Sequence, residues 1–383
     1  MFPDHLSRRG FFGAAGGLIC ATAGLARADQ TFPPGEDLVI ATVGHGMIGD
    51  AVSNGALLKA EQLSAAGGVL GHKIRLYKET VEFDPKQARS QANSAAARVL
   101  SERGIIAVIG HDSVGDALPA AISYLQGGIV FIAPTITSTG LTMHGLNNLF
   151  ATLPDNAEIS VQTARLGFDI GLRRAVILRD RGMDALEISL AYRDEAAVLG
   201  IVTVEERSFP TGTSPREFLA GLQGLRFDHL LIIGSSELQI ALVKSASELG
   251  INVTCVLPTI SNVDYMRGQI GHIAPRVLIP VLRDRSAPTP EQTVWERDYS
   301  ARFGAPPIDA AIQGTDAVGL LAEGLNRVGS IDLAELKLVL HTELAYSGIG
   351  GRISFRQNGR IYTRLLGFAS VRQNDVAYYM PGA

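Results

Sequence analysis

Short apolar runs alternate along this chain with longer stretches whose apolar positions recur every three or four residues. Residues 37–43 (DLVIATV), 105–110 (IIAVIG), 129–134, 174–179, 228–234 (DHLLIIG) and 253–257 have the near-continuous apolar character of strands covered on both faces. Residues 73–78 and 201–209 are predicted as further strands. Helical spacing is predicted over 50–66, where Ala51, Leu57, Leu58 and Leu63 share a face, and over 84–103, 114–125, 157–171, 185–199, 215–225 and 237–250. Asp84-Pro85 supplies an N-cap and a first helical residue for the second of these. Strands alternating with helices imply parallel sheets flanked by helices. The rhythm stops near 153–155 and restarts, which predicts an α/β chain of two Rossmann-like lobes. Beyond 277 it changes. A strand over 277–282 contains Pro280, which suits a crossing or an edge. Helices follow at 291–302, 309–327 and 333–341. Antiparallel strands are then expected at 352–355, 364–371 and 376–379, with turns at Asn358-Gly359 and Gln373-Asn374. The chain is expected to return to the first lobe and then to the second. Lobe 1 would comprise 36–154 plus 282–345, and lobe 2 155–281 plus 346–383, joined by a multi-strand hinge.

The first 28 residues lie outside this pattern. Ser7-Arg8-Arg9-Gly10-Phe11-Phe12 carries paired arginines, an uncharged glycine-rich stretch runs to Ala26, and Ala26-Arg27-Ala28 offers small residues for a signal peptidase. This is the form of a twin-arginine leader, cleaved after about Ala28, with the mature protein in the periplasm. The stretch is short for a membrane span. Residues 117–154 carry no Lys, Arg, Asp or Glu, but Pro119, Gly127-Gly128, Pro134 and Gly140 interrupt them, so they are expected within a globular core.

Formal net charge is -4, from 34 basic and 38 acidic residues, which excludes the cationic footprint of a nucleic-acid partner. Once Cys20 leaves with the leader, Cys255 is the one cysteine remaining, in an apolar run where a buried, inert thiol is expected. Histidines are scattered without metal-ligand spacing, so no metal is expected, and His45, His72, His111 and His272 read as loop or surface residues.

Three loops carry candidate chemistry. Gly44-His45-Gly46-Met47-Ile48-Gly49 is a G-x-G-x-x-G between a strand and a helix, the context of a dinucleotide fingerprint. A periplasmic NAD(P)-dependent oxidoreductase therefore stands as an alternative, although the acidic residue expected about 20 positions on is missing and Glu79 lies further away. A nicotinamide absorbance in the purified protein would mark it. His111-Asp112-Ser113 ends the third strand, and Ser113 with Asp116 three positions on suits a helix N-terminus, where backbone N–H groups bind anions. Thr135, Thr137, Ser138 and Thr139 crowd the end of the next strand. In open parallel sheets ligands bind at such strand ends, though Ser and Thr also cap turns without any ligand. No G-x-S-x-G elbow is present.

Phe83-Asp84-Pro85-Lys86-Gln87-Ala88, Asn54-Gly55-Ala56, Gly67-Gly68-Val69-Leu70-Gly71, Val108-Ile109-Gly110-His111 and Phe131-Ile132-Ala133-Pro134 together resemble the leucine/isoleucine/valine-binding proteins of ABC transporters. The resemblance implies the type I periplasmic binding protein fold and a cleft that closes on a small solute without chemistry or cofactor. It also implies delivery to an ABC transporter permease in the inner membrane, by a chain expected to be a monomer. It places ligand contacts at Ser113, Val114, Ile136, Thr137, Met183, Asp184, Ser235 and Thr259, and Met47 and Thr135 on the loops above are expected to join them. The family's ammonium-binding acid aligns near Thr259, which is not acidic. The expected ligand is therefore a branched-chain amino acid, an amide, or an aromatic or apolar acid, with Asp184, Glu237 or Asp264 as substitutes for the missing charge. A ligand sensor for a membrane receptor would share this fold.

Overall fold

A computed structural model describes residues 32–381 except 82, 83, 85, 211, 223, 274 and 275. The leader and the first residues of the mature chain lie outside the described residues, as do Phe83 and Pro85 of the Asp84-Pro85 segment.

The chain opens with β1 (Leu38–Gly44), α1 (Gly46–Ala65), β2 (Ile74–Thr80), α2 (Ala88–Ser101), β3 (Ile105–Gly110), α3 (Val114–Gln126), β4 (Val130–Ala133) and β5 (Leu149–Ala151). Their strands form one parallel sheet in the order β2-β1-β3-β4-β5. Successive residues of β1 face opposite layers, as the pleat requires. Leu38 and Ile40 pack with Val52 and Ala56 of α1, while Val39, Ala41 and Val43 pack with the alanines of α2 and α3. The uncharged stretch becomes most of α3, then β4, a 3-10 turn at Thr139–Thr142, and β5. No described helix is long and apolar enough to cross a membrane.

The second lobe holds α4 (Asn156–Asp169), β6 (Arg174–Arg179), α5 (Met183–Leu199), β7 (Val202–Ser208), α6 (Pro215–Ala220), β8 (His229–Ile233), α7 (Ser236–Glu248), β9 (Thr254–Val256), α8 (Val263–Ile270) and β10 (Val277–Val281). The chain then returns to the first lobe as α9 (Pro290–Phe303), α10 (Asp309–Val328), α11 (Leu333–Thr342) and the hairpin β11 (Tyr346–Gly348) with β12 (Gly351–Ile353). It ends in the second lobe as β13 (Gly367–Arg372) and β14 (Asp375–Tyr379). The second sheet runs β14-β13-β10-β9-β8-β6-β7, with β13 antiparallel to both its neighbours.

Several expectations change. The last crossing falls at 362–366 rather than 345–346, because Ile353, Phe355 and Ile361 join the first lobe's core and Ile361 donates its N–H to the Ala151 carbonyl. α2 begins at Ala88, since Asp84 accepts from the Lys86 N–H (2.9 Å) and closes a turn first. β10 is interior, not an edge. Leu278 turns its carbonyl to β9, so Pro280, two residues on, directs its missing N–H to the same side beyond the last residue paired with β9. α8 and β5 were not anticipated.

Leu153, Leu282 and Leu366, one from each crossing, pack together with Ile159. Gln162 of α4 ties the first crossing to the third, donating to the Arg364 carbonyl (3.0 Å) and accepting from the Leu366 N–H (2.8 Å).

Candidate functional site

The carboxyl ends of both sheets' parallel strands open onto one crevice between the lobes. It holds two adjoining cavities of about 440 Å³ and 450 Å³. The first lies among the start of α1, Asp112, Thr135 and the start of α10 from the first lobe. Residues 260–262 face them, and Leu153 and Leu282 of the crossings form the back wall. The second lies among Val114, Thr137 and Asn156 on one side, and the ends of β6 and β8 on the other.

The structure brings Met47 and Thr135 to the first cavity, and Val114, Thr137, Met183, Asp184 and Thr259 to the second. Met47 and Met183 are exposed at the rims. Ser113, Ile136 and Ser235 line neither cavity. Ser113 gives its N–H (3.1 Å) and its hydroxyl to the Asp116 carboxylate. Ile136 is buried in the core, with its carbonyl accepting from Arg360 (3.1 Å). Ser235 caps α7, its Oγ accepting from the Leu238 N–H (3.3 Å). Asp264 is engaged by Arg285 (2.6 Å) and, like Glu237, lines neither cavity.

Asp112 belongs to the 111–114 loop that the sequence offers for the ligand's polar head, although it is not among the contacts named from it. It lines the first cavity, and its Oδ2 accepts from the His45 N–H (2.9 Å) and lies 3.1 Å from His45 Nδ1. Burial is the largest influence on its carboxyl and pushes the pKa up, against the pull of His45. Asp116, behind it, feels the same burial, but His111 and Ser113 outweigh it and hold that carboxyl below the usual range. His111 is not a surface residue. It is fully buried at φ 56, with Nδ1 3.3 Å from Asp116 and Nε2 3.0 Å from the Tyr124 hydroxyl. His72 is also buried, with Nδ1 2.8 Å from the Glu36 carbonyl. Asp309 and Gln313 reach the first cavity from a helix far along the chain, and nothing in their local sequence signals it. Asp309 is paired with buried Arg283 (3.1 Å), which also holds Glu296 (2.8 Å).

The G-x-G-x-x-G loop has another use. A Cβ on Gly49 would lie 2.7 Å from the Gly44 carbonyl carbon, so these glycines let β1 and α1 meet closely. At the N-terminus of α1, where a pyrophosphate would sit, the Asp112 carboxylate accepts from the His45 N–H and sets a negative charge against it. Glu79, the candidate for a ribose contact, is bound to Arg98 (2.6 Å) and Tyr77 (2.9 Å). The site does not support the oxidoreductase alternative. Among the described residues no group of His, Cys, Asp and Glu could hold a metal ion. Cys255 is buried in the second lobe's core, and burial pushes its thiol up to about 12.

Two α/β lobes, three packed crossings and a cleft at the strand ends define a hinged binding protein. A family model described as periplasmic binding protein matches residues 43–375, and the chain belongs to that family. The chain is 29% identical over 167 residues to the Leu/Ile/Val-binding protein BraC3 of Rhizobium johnstonii, covering 43% of this chain and 44% of that one. Across the relatives first matched, the aligned part spans only 31% to 44% of their lengths. In fold, the chain is similar to an ABC transporter substrate-binding protein from Desulfitobacterium hafniense in complex with Leu (TM-score 0.77, 24% identity, covering 90% of this chain and 100% of that one). It is also similar to a solute-binding protein of an ABC transporter from R. palustris in complex with benzoate (TM-score 0.73, 18% identity, 90% and 96% covered).

Proposed function

We propose that this protein is the substrate-binding component of an ABC importer. It captures a small organic solute between its lobes and presents the closed form to a permease in the inner membrane. The observation that carries this reading is the crevice itself, with binding loops of both lobes facing each other and the three crossings packed behind them. A ligand drives closure only as far as it binds the closed state better than the open one, and contacts from both lobes meet that condition. The twin-arginine pattern of the first 28 residues supports a periplasmic location, and a monomer suffices because one chain supplies both jaws. Capture requires no chemical change in the solute, and the reading includes none.

The names of the relatives and structural neighbours suggest branched-chain amino acids and aromatic acids for the first panel, and the missing acid at Thr259 adds the amides. In a thermal-shift screen a cognate compound at about 100 times its Kd stabilises the protein by about 2.7 kcal/mol. In solution scattering the same compound contracts the molecule. No stabilisation by any member of the panel, with unchanged scattering, would overturn the proposal.

A further inference from the structure

The polar chemistry of the crevice is one-sided. Helices α1, α3, α4, α5 and α10 all begin at its walls, since residues from the first turn or N-cap loop of each line a cavity. A helix N-terminus ordinarily offers free N–H groups and favours an anion. At these five starts a carboxylate of the protein itself takes one N–H group or stands in the first turn, while at α8, which also starts at the first cavity, the cap is Asn262, accepting from the Tyr265 N–H (3.1 Å). Asp112 accepts from His45 at α1, and Asp116 from Ser113 at α3. Asp155 accepts from Glu158 (2.9 Å) at α4, and Asp180 from Gly182 (2.7 Å) at α5. Asp309 is the first residue of α10. No Lys or Arg side chain lines either cavity. Of the buried arginines, Arg283 pairs with Glu296 and Asp309, and Arg360 donates to backbone carbonyls. A free carboxylate in this crevice would meet the carboxylates of Asp112, Asp180 and Asp184, with no Lys or Arg side chain among the lining residues to offset them. The wall of the first cavity beside Asp112 is apolar instead: Ile48, Leu153, Ile260, Leu282 and Ile308.

Resting on the capture reading, we infer that the solute presents an N–H-donating head, an ammonium, amidinium or amide group, to Asp112. Its branched or aromatic body lies against the apolar wall, and it carries no carboxylate as its sole polar group. His45, which lines the same cavity, donates its N–H to Asp112 Oδ2, and the remaining acceptor capacity of that carboxylate is left for the head group. Asp180 and Asp184 keep the second cavity negative.

Matched compounds sharing one body test this by calorimetry on the mature chain: benzamidine, benzamide and benzoate, and isoamylamine, isocaproamide and isocaproate. The donor-headed member of at least one series is expected to bind tenfold or more tightly than its carboxylate. Asp112→Asn, which can still accept from the His45 N–H, is expected to weaken the cationic member tenfold and the neutral amide less. The ranking in the unaltered protein needs no variant to fold. Equal or tighter binding of benzoate or isocaproate overturns the inference while leaving capture intact. Binding of no member of either series overturns it too, and the wider panel with scattering then decides capture separately.

Discussion

Asp316 shows how one carboxylate can be legible as a helix residue and illegible as a buried one. It lies in α10 and is almost fully buried, accepting from the Ile349 N–H (2.7 Å) and the Gly350 N–H (2.8 Å). Burial raises its pKa from 3.8 to about 6, against the pull of those two N–H groups and of Arg364 and Lys59. The folded value lies above the ordinary one, so the folded chain binds this proton more tightly. Its contribution to stability is complete below 3.8 and is lost as pH rises through about 6. Measured by denaturant unfolding, the stability of the wild type relative to Asp316→Asn is expected to fall across that window by on the order of 3 kcal/mol, then stay level. At the same scale, residue type suggested hydroxyl contacts at Ser113 and Ser235, but capping consumed both. Asp112 carried no local signal that distinguished it from a solvated loop aspartate.

Between elements, the contact of α1 with α10 depends on two glycines. A Cβ on Gly55 would lie 1.8 Å from the Ala311 carbonyl oxygen, and one on Gly314 would lie 2.0 Å from that of Val52. Thr315 uses the close approach to donate to the Gly55 carbonyl (2.9 Å) while accepting from Trp295 Nε1 (3.1 Å). Gly314→Ala must push the helices apart, with an expected loss of about 3 kcal/mol in chemical denaturation. An unchanged midpoint would show that the helices can separate freely. Asn54-Gly55-Ala56 stood out in the sequence only by resemblance, and its reason is this crossing. Long amphipathic helices and apolar strands were readable because periodicity needs only neighbours in the chain. β5 and α8 were missed because they are short, and the preceding or surrounding loops have a similar composition.

At the scale of the whole molecule, Arg360, just before the third crossing, ties the first lobe's loop at 136–138 to the first crossing at Leu153. Its guanidinium is fully buried and donates to the carbonyls of Ile136 (3.1 Å), Leu153 (3.3 Å) and Ser138 (2.7 Å). Arg360→Met leaves those acceptors without a donor, and the expected cost is about 3 kcal/mol. Ligand-induced contraction in scattering should become smaller or less uniform, because the loop at 136–138 and the crossing at Leu153 no longer move as one. The sequence alone determined the α/β alternation, the break near residue 154 and the use of strand ends as the binding edge. These follow from local periodicity and from the way parallel strands must be connected. Only the tertiary structure decided where the third crossing lies, which hydroxyls face the crevice and that its charge is acidic. Those depend on residues more than eighty positions apart coming together, as Leu153, Leu282 and Leu366 do. No local pattern records which of them will meet.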